Sequence, residues 1–351
     1  MDVTTDGFVS EVLKTVARGE SLTASRAESF MDRLMEGKTT AVQTAGLLAA
    51  MAVRGETVEE IVGFARAMRS HGLSMDAPQG VIDTCGTGGD GADTFNISTA
   101  AAVVAASAGV PVAKHGNRAV SSKSGSADVL VALGARIDLD VVAAAQCLEE
   151  SNLCFLFAQH YHPAMKHAAE PRKQLGFRTI FNILGPLTNP AHAKRQVIGV
   201  FQPALVGKVA RALLELGSEH ALVVHGAGGL DEISLAGETL VAEVKDGTVR
   251  EYTIHPTQFE LAEAPVEQVT GADANANAAI IRAILSGRQG PKRDIVVLNA
   301  GAALYVGGSA SSLDEGVALA AKVIDSGSAE ETLEAFISAT HRFASQQEVA
   351  Q

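Results

Sequence analysis

Residues 7 to 70 read as helices only. Phe8, Val12, Leu13 and Val16 recur at helical spacing, as do Phe30, Leu34 and Met35, and then Ile61, Phe64, Ala65 and Met68; this is the i, i+3, i+4 pattern of an amphipathic helix. Ser25 to Glu28 and Thr57 to Glu60 each fit the S/T-x-x-E capping box that opens a helix. Gly19, Gly37 and Gly55 stand where helices would stop. The pattern predicts about four short helices in a smaller all-helical N-terminal domain over residues 1–75.

From Gln79 onward the apolar runs shorten and alternate with helical stretches. Strands are expected at Val81–Asp83, Val110–Ala113, Leu153–Phe157, Gln196–Phe201 and Ala221–His225. Helices are expected at Ser98–Ala108, Ser126–Leu133, Leu139–Glu150 and Leu205–Leu216. Strands alternating with helices predict an α/β fold with a mostly parallel sheet flanked by helices. Glu238 to Tyr252, with Asp246 and Gly247 between two alternating runs, reads as a β-hairpin. A helix at 273–286, a strand at 294–298 and helices near 312–325 and 329–343 complete the α/β domain, taken as 76–351. Residues 159–190 interrupt the alternation with basic helical sequence closed by Gly-Pro and Asn-Pro. Helices from about 163–182 are therefore expected to fold back on the N-terminal domain.

Composition narrows the partners. Acidic side chains outnumber basic ones 40 to 28, for a formal charge of −12, which argues against a nucleic-acid or membrane-surface partner. Any anion site must be local. Cys85, Cys147 and Cys154 are odd in number and lack C-x-x-C spacing, which fits reduced thiols. The acidic N-terminal stretch and the absence of an apolar run near 18 residues point to a cytoplasmic protein.

Three stretches could carry chemistry. Lys114 to Asp128, KHGNRAVSSKSGSAD, is basic, rich in hydroxyls and free of carboxylates until its last residue. A solvated loop can have that composition, but so does a site for a polyanionic small molecule. Upstream, Asp83 to Thr99 follows a strand and holds Gly86, Gly88, Gly89 and Gly91 before a helix start. Its G-x-G-x-x-G spacing fits a dinucleotide fold poorly, because the helix begins late and no acid closes the second strand. A phosphate cradle suits it better. Both stretches follow strands, so they meet at the carboxyl edge of the sheet. There Asp231 and Glu232 could form a Mg²⁺ pair, although two adjacent acids taken alone are more often a solvated surface pair. Arg172 could fork a ligand carboxylate if its segment crosses that edge. His160, His162 and His167 lack metal-site spacing, and no nucleophile elbow is present.

Together, GTGGD at Gly86–Asp90, NIST at Asn96–Thr99, Lys114–Asp128, Arg172 followed by RTIFNILGPLTNPA, and LDEIS at Leu230–Ser234 resemble the anthranilate phosphoribosyltransferase family. The resemblance spans nearly the whole chain. It implies a nucleoside phosphorylase/phosphoribosyltransferase-like fold, a homodimer formed through the helical domain, and Mg²⁺ dependence. Phosphoribosyl diphosphate would be bound by Gly86, Gly89, Asp90, Thr94, Asn96, Ile97, Ser98, Thr99, Lys114, His115, Gly116, Asn117, Arg118, Ala119, Val120, Ser121, Ser122 and Ser126. Anthranilate would meet Gly86, Asn117 and Arg172, and Ser98, Asp231 and Glu232 would bind Mg²⁺. One departure is that Gly228 and Gly229 stand where the family usually has Asp-Gly.

The resemblance also implies substitution at the ribose anomeric carbon by the anthranilate amine, with diphosphate leaving. That amine is neutral at pH 7, so catalysis would rest on positioning and electrostatics and needs no triad. Two other readings stay open: a pyrimidine nucleoside phosphorylase-like enzyme, and a non-catalytic phosphoribosyl or nucleotide sensor.

Overall fold

A computed structural model describes residues 7–119 and 123–350. Four helices open the described residues: α1 (Gly7–Ala17), α2 (Ala24–Met35), α3 (Ala41–Arg54) and α4 (Val58–His71). The expected capping box at Thr57 is present, with Glu60 closing it. The one expected at Ser25 is not. Helix α2 starts two residues earlier than that box would place it, and Thr23 is its N-cap, accepting the Arg26 N–H. The hydroxyl that can reach the orphan N–H groups must sit outside the helix in extended backbone, and Ser25 is already inside. A further capping box, with Gln in place of Glu at its last position, opens α3 through Thr40 and Gln43.

The α/β part follows as β1 (Ile82–Gly86), α5 (Ile97–Ser107), β2 (Val112–Gly116), α6 (Ser126–Leu133), α7 (Val141–Ser151) and β3 (Leu153–Phe157). Next come α8 (Ala158–Tyr161), α9 (Lys166–Leu175), α10 (Phe181–Leu184), β4 (Arg195–Gly199), α11 (Val206–Glu215) and β5 (His220–Gly226). The hairpin is β6 (Thr239–Lys245) and β7 (Thr248–Ile254), followed by α12 (Ala274–Leu285), α13 (Pro291–Gly307), α14 (Leu313–Asp325) and α15 (Ser328–Ala350). Asp246 and Gly247, at φ 51° and 71°, make the two-residue turn that the hairpin needs.

Among the described residues seven strands form one sheet in the order β3-β2-β1-β4-β5-β6-β7. The first five are parallel, and β6 and β7 run antiparallel. The expected strand at 294–298 is instead part of the first half of α13, a helix buried on nearly every side. The apolar run Ile295–Leu298 has no polar face to reveal its period, so a buried helix and a buried strand read alike.

Alternation along the strands divides the core between the two faces of the sheet. Leu222 and Val224 join the cluster formed with α5–α7 and α12–α15. Ala221 and Val223 face α11 and the N-terminal helices, in a second cluster that includes Ala168, Ile180, Phe181, Ile183, Leu184 and Leu187. The segment carrying Arg172 is thereby built into the helical side. Among the described residues it is pinned to α4 and the chain leaving it by Leu73 N–H to Tyr161 O at 2.8 Å, Met75 N–H to Pro190 O at 2.9 Å, and Arg69 Nε–H to Leu187 O at 2.8 Å.

Candidate active site

The sheet order reverses between β1 and β4, the point where ligands settle beyond the carboxyl ends of parallel strands. Three loops meet there. The loop after β5 crosses the ends of β1 and β4, and glycines permit the crossing. A Cβ on Gly86 would lie 2.2 Å from Asp231 Oδ2, and one on Gly199 only 1.5 Å from Asp231 O. Asp231 Oδ2 accepts the Gly88 N–H at 2.6 Å, and Glu232 Oε1 accepts the Ser98 N–H at 3.1 Å. The acid pair, the glycine loop and the start of α5 are therefore one assembly, as the sequence reading expected of a shared edge.

Charge in this assembly is unbalanced. Asp231 is buried, and burial, then the charge of Asp90, raises its pKa above the ordinary aspartate range. Burial and the neighbouring Asp231 raise that of Glu232, against the pull of Lys114. Asp90 Oδ2 is buried with no hydrogen-bond partner. Three carboxylates thus face one ammonium, that of Lys114, which is itself committed to Thr84 O and, at 3.2 Å, to Ser98 Oγ. A divalent cation fits such an excess of hard oxygen donors, because Mg²⁺ takes a few carboxylates and leaves the rest of its sphere to water and phosphate. Among the described residues no cluster of three or more His, Cys, Asp or Glu side chains closes a metal site by itself.

Among the described residues the basic loop is tied to the stretch that carries the glycines. Asn96 Nδ2–H donates to Ser124 O at 3.1 Å, and Lys123 pairs with Asp93 at 2.9 Å. Asn96 Oδ1 also accepts from Asn277 Nδ2 at 3.0 Å, a contact from α12 that no sequence signal announced. Asp128 accepts the Ala119 and Gly125 N–H groups and pairs with Arg118, so the loop closes on itself. Ser126 Oγ–H donates to Asn117 O at 3.4 Å and crowds Gly116, where a Cβ would lie 2.1 Å from that hydroxyl. Asn117 and Arg118 are exposed at the mouth. Val120, Ser121 and Ser122 lie outside the described residues.

Other expected contacts take positions of their own. Ile97 is fully buried, so only its backbone reaches the edge. The Thr99 hydroxyl is buried without a partner. Thr94 bridges to Thr270. The His115 ring turns into the core, with Nδ1 3.1 Å from Gly185 O and its ring edge-on to His162 at 5.2 Å. Burial, then His162, lowers its pKa to about 3, so the ring is neutral. Beneath the site, the buried Asp83 accepts the His115 N–H at 3.2 Å and the Asn189 Nδ2–H at 2.8 Å. This hub joins β1, β2 and the Asn-Pro turn; an acid within a strand was its only sequence signal.

No hydrogen bond or ion pair among the described residues joins Arg172 to these loops. It is half-buried on α9, its guanidinium 5.0 Å from the Phe181 ring, and burial lowers its pKa. A desolvated guanidinium lacking an anion is suited to accept one from a ligand.

This architecture recurs in known proteins. Residues 78–330 match the Glycosyl transferase family, a/b domain, and residues 10–72 its helical bundle domain. An anthranilate phosphoribosyltransferase from Rubrobacter xylanophilus is 53% identical over 338 residues, covering 96% of this chain and 99% of that protein. The crystal structure of the Thermus thermophilus anthranilate phosphoribosyltransferase superposes with a TM-score of 0.89 at 45% identity, over 94% of this chain and 99% of that one. The Saccharomyces cerevisiae enzyme, in complex with PRPP and Mg, gives 0.88 at 27% identity, over 97% and 100% of the two chains. Near-complete coverage in both directions, at an identity above half, means that sequence, helical unit and sheet are shared as a whole, and the chain belongs to the anthranilate phosphoribosyltransferase family.

Proposed function

We propose that this crevice transfers the phosphoribosyl group of 5-phosphoribosyl 1-diphosphate to the amine of anthranilate, giving N-(5-phosphoribosyl)anthranilate and diphosphate, in tryptophan biosynthesis. The observation that carries this reading is a phosphate-type loop locked to a carboxylate pair. The Gly88 N–H is held by Asp231, while those of Gly89, Asp90 and Gly91 donate to no protein acceptor among the described residues. Nucleotide sensing needs the cradle alone, and phosphorolysis needs no metal-binding acid pair.

In this reading Asp231, Glu232 and the Ser98 hydroxyl hold Mg²⁺. When bound, the ion supplies positive charge to the diphosphate oxygens. The chain's own residues orient the reactants. Free N–H groups of the glycine loop take phosphate oxygens, and the start of α5 presents its positive end to them. Arg172 forks the anthranilate carboxylate, which turns the amine toward the anomeric carbon, and Asn117 at the mouth borders the same acceptor. The C–N bond forms as the bond to diphosphate breaks, and the amine proton leaves to water or diphosphate. No side-chain base is required, because the aromatic amine is neutral before attack. Lys114 and the basic loop add the electrostatic part of the stabilisation.

We also infer a homodimer through the helical unit. Val42 and Val53 of α3 are 82% and 91% exposed, and with Gly46 they line one outward face of that helix, a surface that a second copy would cover. Among the described residues no helix is long and apolar enough to cross a membrane. The three unpaired cysteines support a reducing, cytoplasmic setting.

Acceptor competition tests the assignment. With phosphoribosyl diphosphate and Mg²⁺, anthranilate is consumed and uracil is not. Cleavage of thymidine by inorganic phosphate would instead select the phosphorylase, and binding without any turnover the sensor.

A further inference from the structure

We propose that Arg178 binds the diphosphate end of the donor, completing the anion site of the glycine loop from the opposite wall. This deepens the reading above and rests on it. Arg178 lies in the turn between α9 and α10, where the sequence reading assigned it no role. Its side chain is exposed, yet it is held. The guanidinium carbon stands 4.4 Å from the centroid of the Phe201 ring, a cation–π contact that limits its excursions. Phe201 is itself anchored across the switch point, its N–H donating to Thr87 Oγ1 at 3.2 Å. Thr87 N–H in turn donates to Gly199 O at 2.9 Å.

The guanidinium lies over Gly89. A Cβ built there would be 3.2 Å from Arg178 Nε and 3.4 Å from Nη2. Gly88, Gly89 and Gly91 have φ of 70°, 75° and 78°, the left-handed backbone that lets successive N–H groups face one concavity. A forked cation therefore sits directly against the N–H donors that have no protein acceptor.

Among the described residues Arg178 has neither a hydrogen bond nor an ion pair, although Asp90, Asp231 and Glu232 belong to the same edge. Those carboxylates are turned to Ala92, Gly88 and Ser98. A guanidinium pre-positioned by an aromatic face, beside free N–H groups and without an anion, is organised for one that the ligand brings. The acceptor carboxylate has Arg172, which lies against Phe181. The oxyanion beside Gly89 is that of the leaving group.

The test uses the full chain. Calorimetry measures inorganic diphosphate binding in the presence of Mg²⁺, and steady-state kinetics give KM separately for phosphoribosyl diphosphate and anthranilate. Losing a charge-assisted contact of this kind predicts that Arg178→Gln weakens diphosphate binding and raises the donor KM about ten- to hundredfold. The anthranilate KM stays near the wild-type value. Arg178→Lys recovers part of the loss, since it keeps the charge without the fork, and Phe201→Leu shows a smaller loss of the same sign. Unchanged diphosphate affinity in Arg178→Gln overturns the proposal, as does a rise in the anthranilate KM alone. If the wild-type chain bound diphosphate but consumed no anthranilate, the reaction assignment would fail, while the diphosphate comparison would still decide the role of Arg178.

Discussion

Asp231 accepts the backbone N–H of Gly88 at 2.6 Å across 143 residues of chain. The bond fastens the loop after β5 to the loop after β1, and it exists only because Gly86 and Gly199 have no side chains beneath it. Gly199 is the stricter of the two, since its added Cβ would meet backbone rather than the end of a carboxylate. Gly199→Ala is predicted to displace the Asp231 loop, to lower stability by about 3 kcal/mol, as overpacking at a rigid site does, and to abolish turnover. Thermal unfolding and an activity assay read both effects, and a fully active variant would show that the crossing tolerates displacement.

The carboxylate excess makes a separate prediction. With Asp231→Asn and Glu232→Gln combined, the charge that calls for a cation is gone, so the rate should no longer respond to added Mg²⁺. The measurement is rate against Mg²⁺ concentration at saturating substrates. Metal stimulation equal to that of the wild type would remove both residues from the metal site.

Arg172 is expected to act on one substrate only. Its guanidinium touches Phe181 and none of the phosphate loops, so Arg172→Ala should raise the anthranilate KM by about ten- to a hundredfold, the worth of a charge-assisted hydrogen bond. Donor affinity should hardly move. Equal losses for both substrates would contradict a carboxylate clamp.

A pH prediction follows from the far end of the sheet. Burial disfavours the Glu243 carboxylate, but His220 Nε2 at 3.0 Å and the hydroxyls of Tyr305 and Tyr252 at 2.7 and 3.2 Å outweigh it, taking the pKa down to about 2. A folded-state pKa below the unfolded value gives stability that is complete above the unfolded glutamate pKa. That stability drains as pH falls through the folded value. Denaturant midpoints should therefore drop between pH 5 and 2 (about the interval separating the two values) less steeply in Glu243→Gln than in the wild type. Parallel curves would show that the network does not couple to protons.

The strand and helix alternation, the four opening helices and the meeting of Gly86–Asp90 with Asp231–Glu232 could be read from residue order, because periodicity, capping chemistry and glycine spacing are local properties. What escaped was set by distance. The run Ile295–Leu298 looks like a strand until burial on all sides makes it a helix. The partners of Lys114 and His115 inside the fold, Thr84, Ser98 and Gly185, come from remote segments that residue order does not bring together. Arg178 resembles any exposed arginine in sequence, and only the fold sets it between Phe201 and Gly89.

The central claim is tested most directly by the fluorescence of anthranilate. Purified protein with phosphoribosyl diphosphate and Mg²⁺ should make the signal decay, with one diphosphate released for each anthranilate consumed and no decay when either the donor or the metal is withheld. A signal that stays constant over hours with all components present would contradict the account.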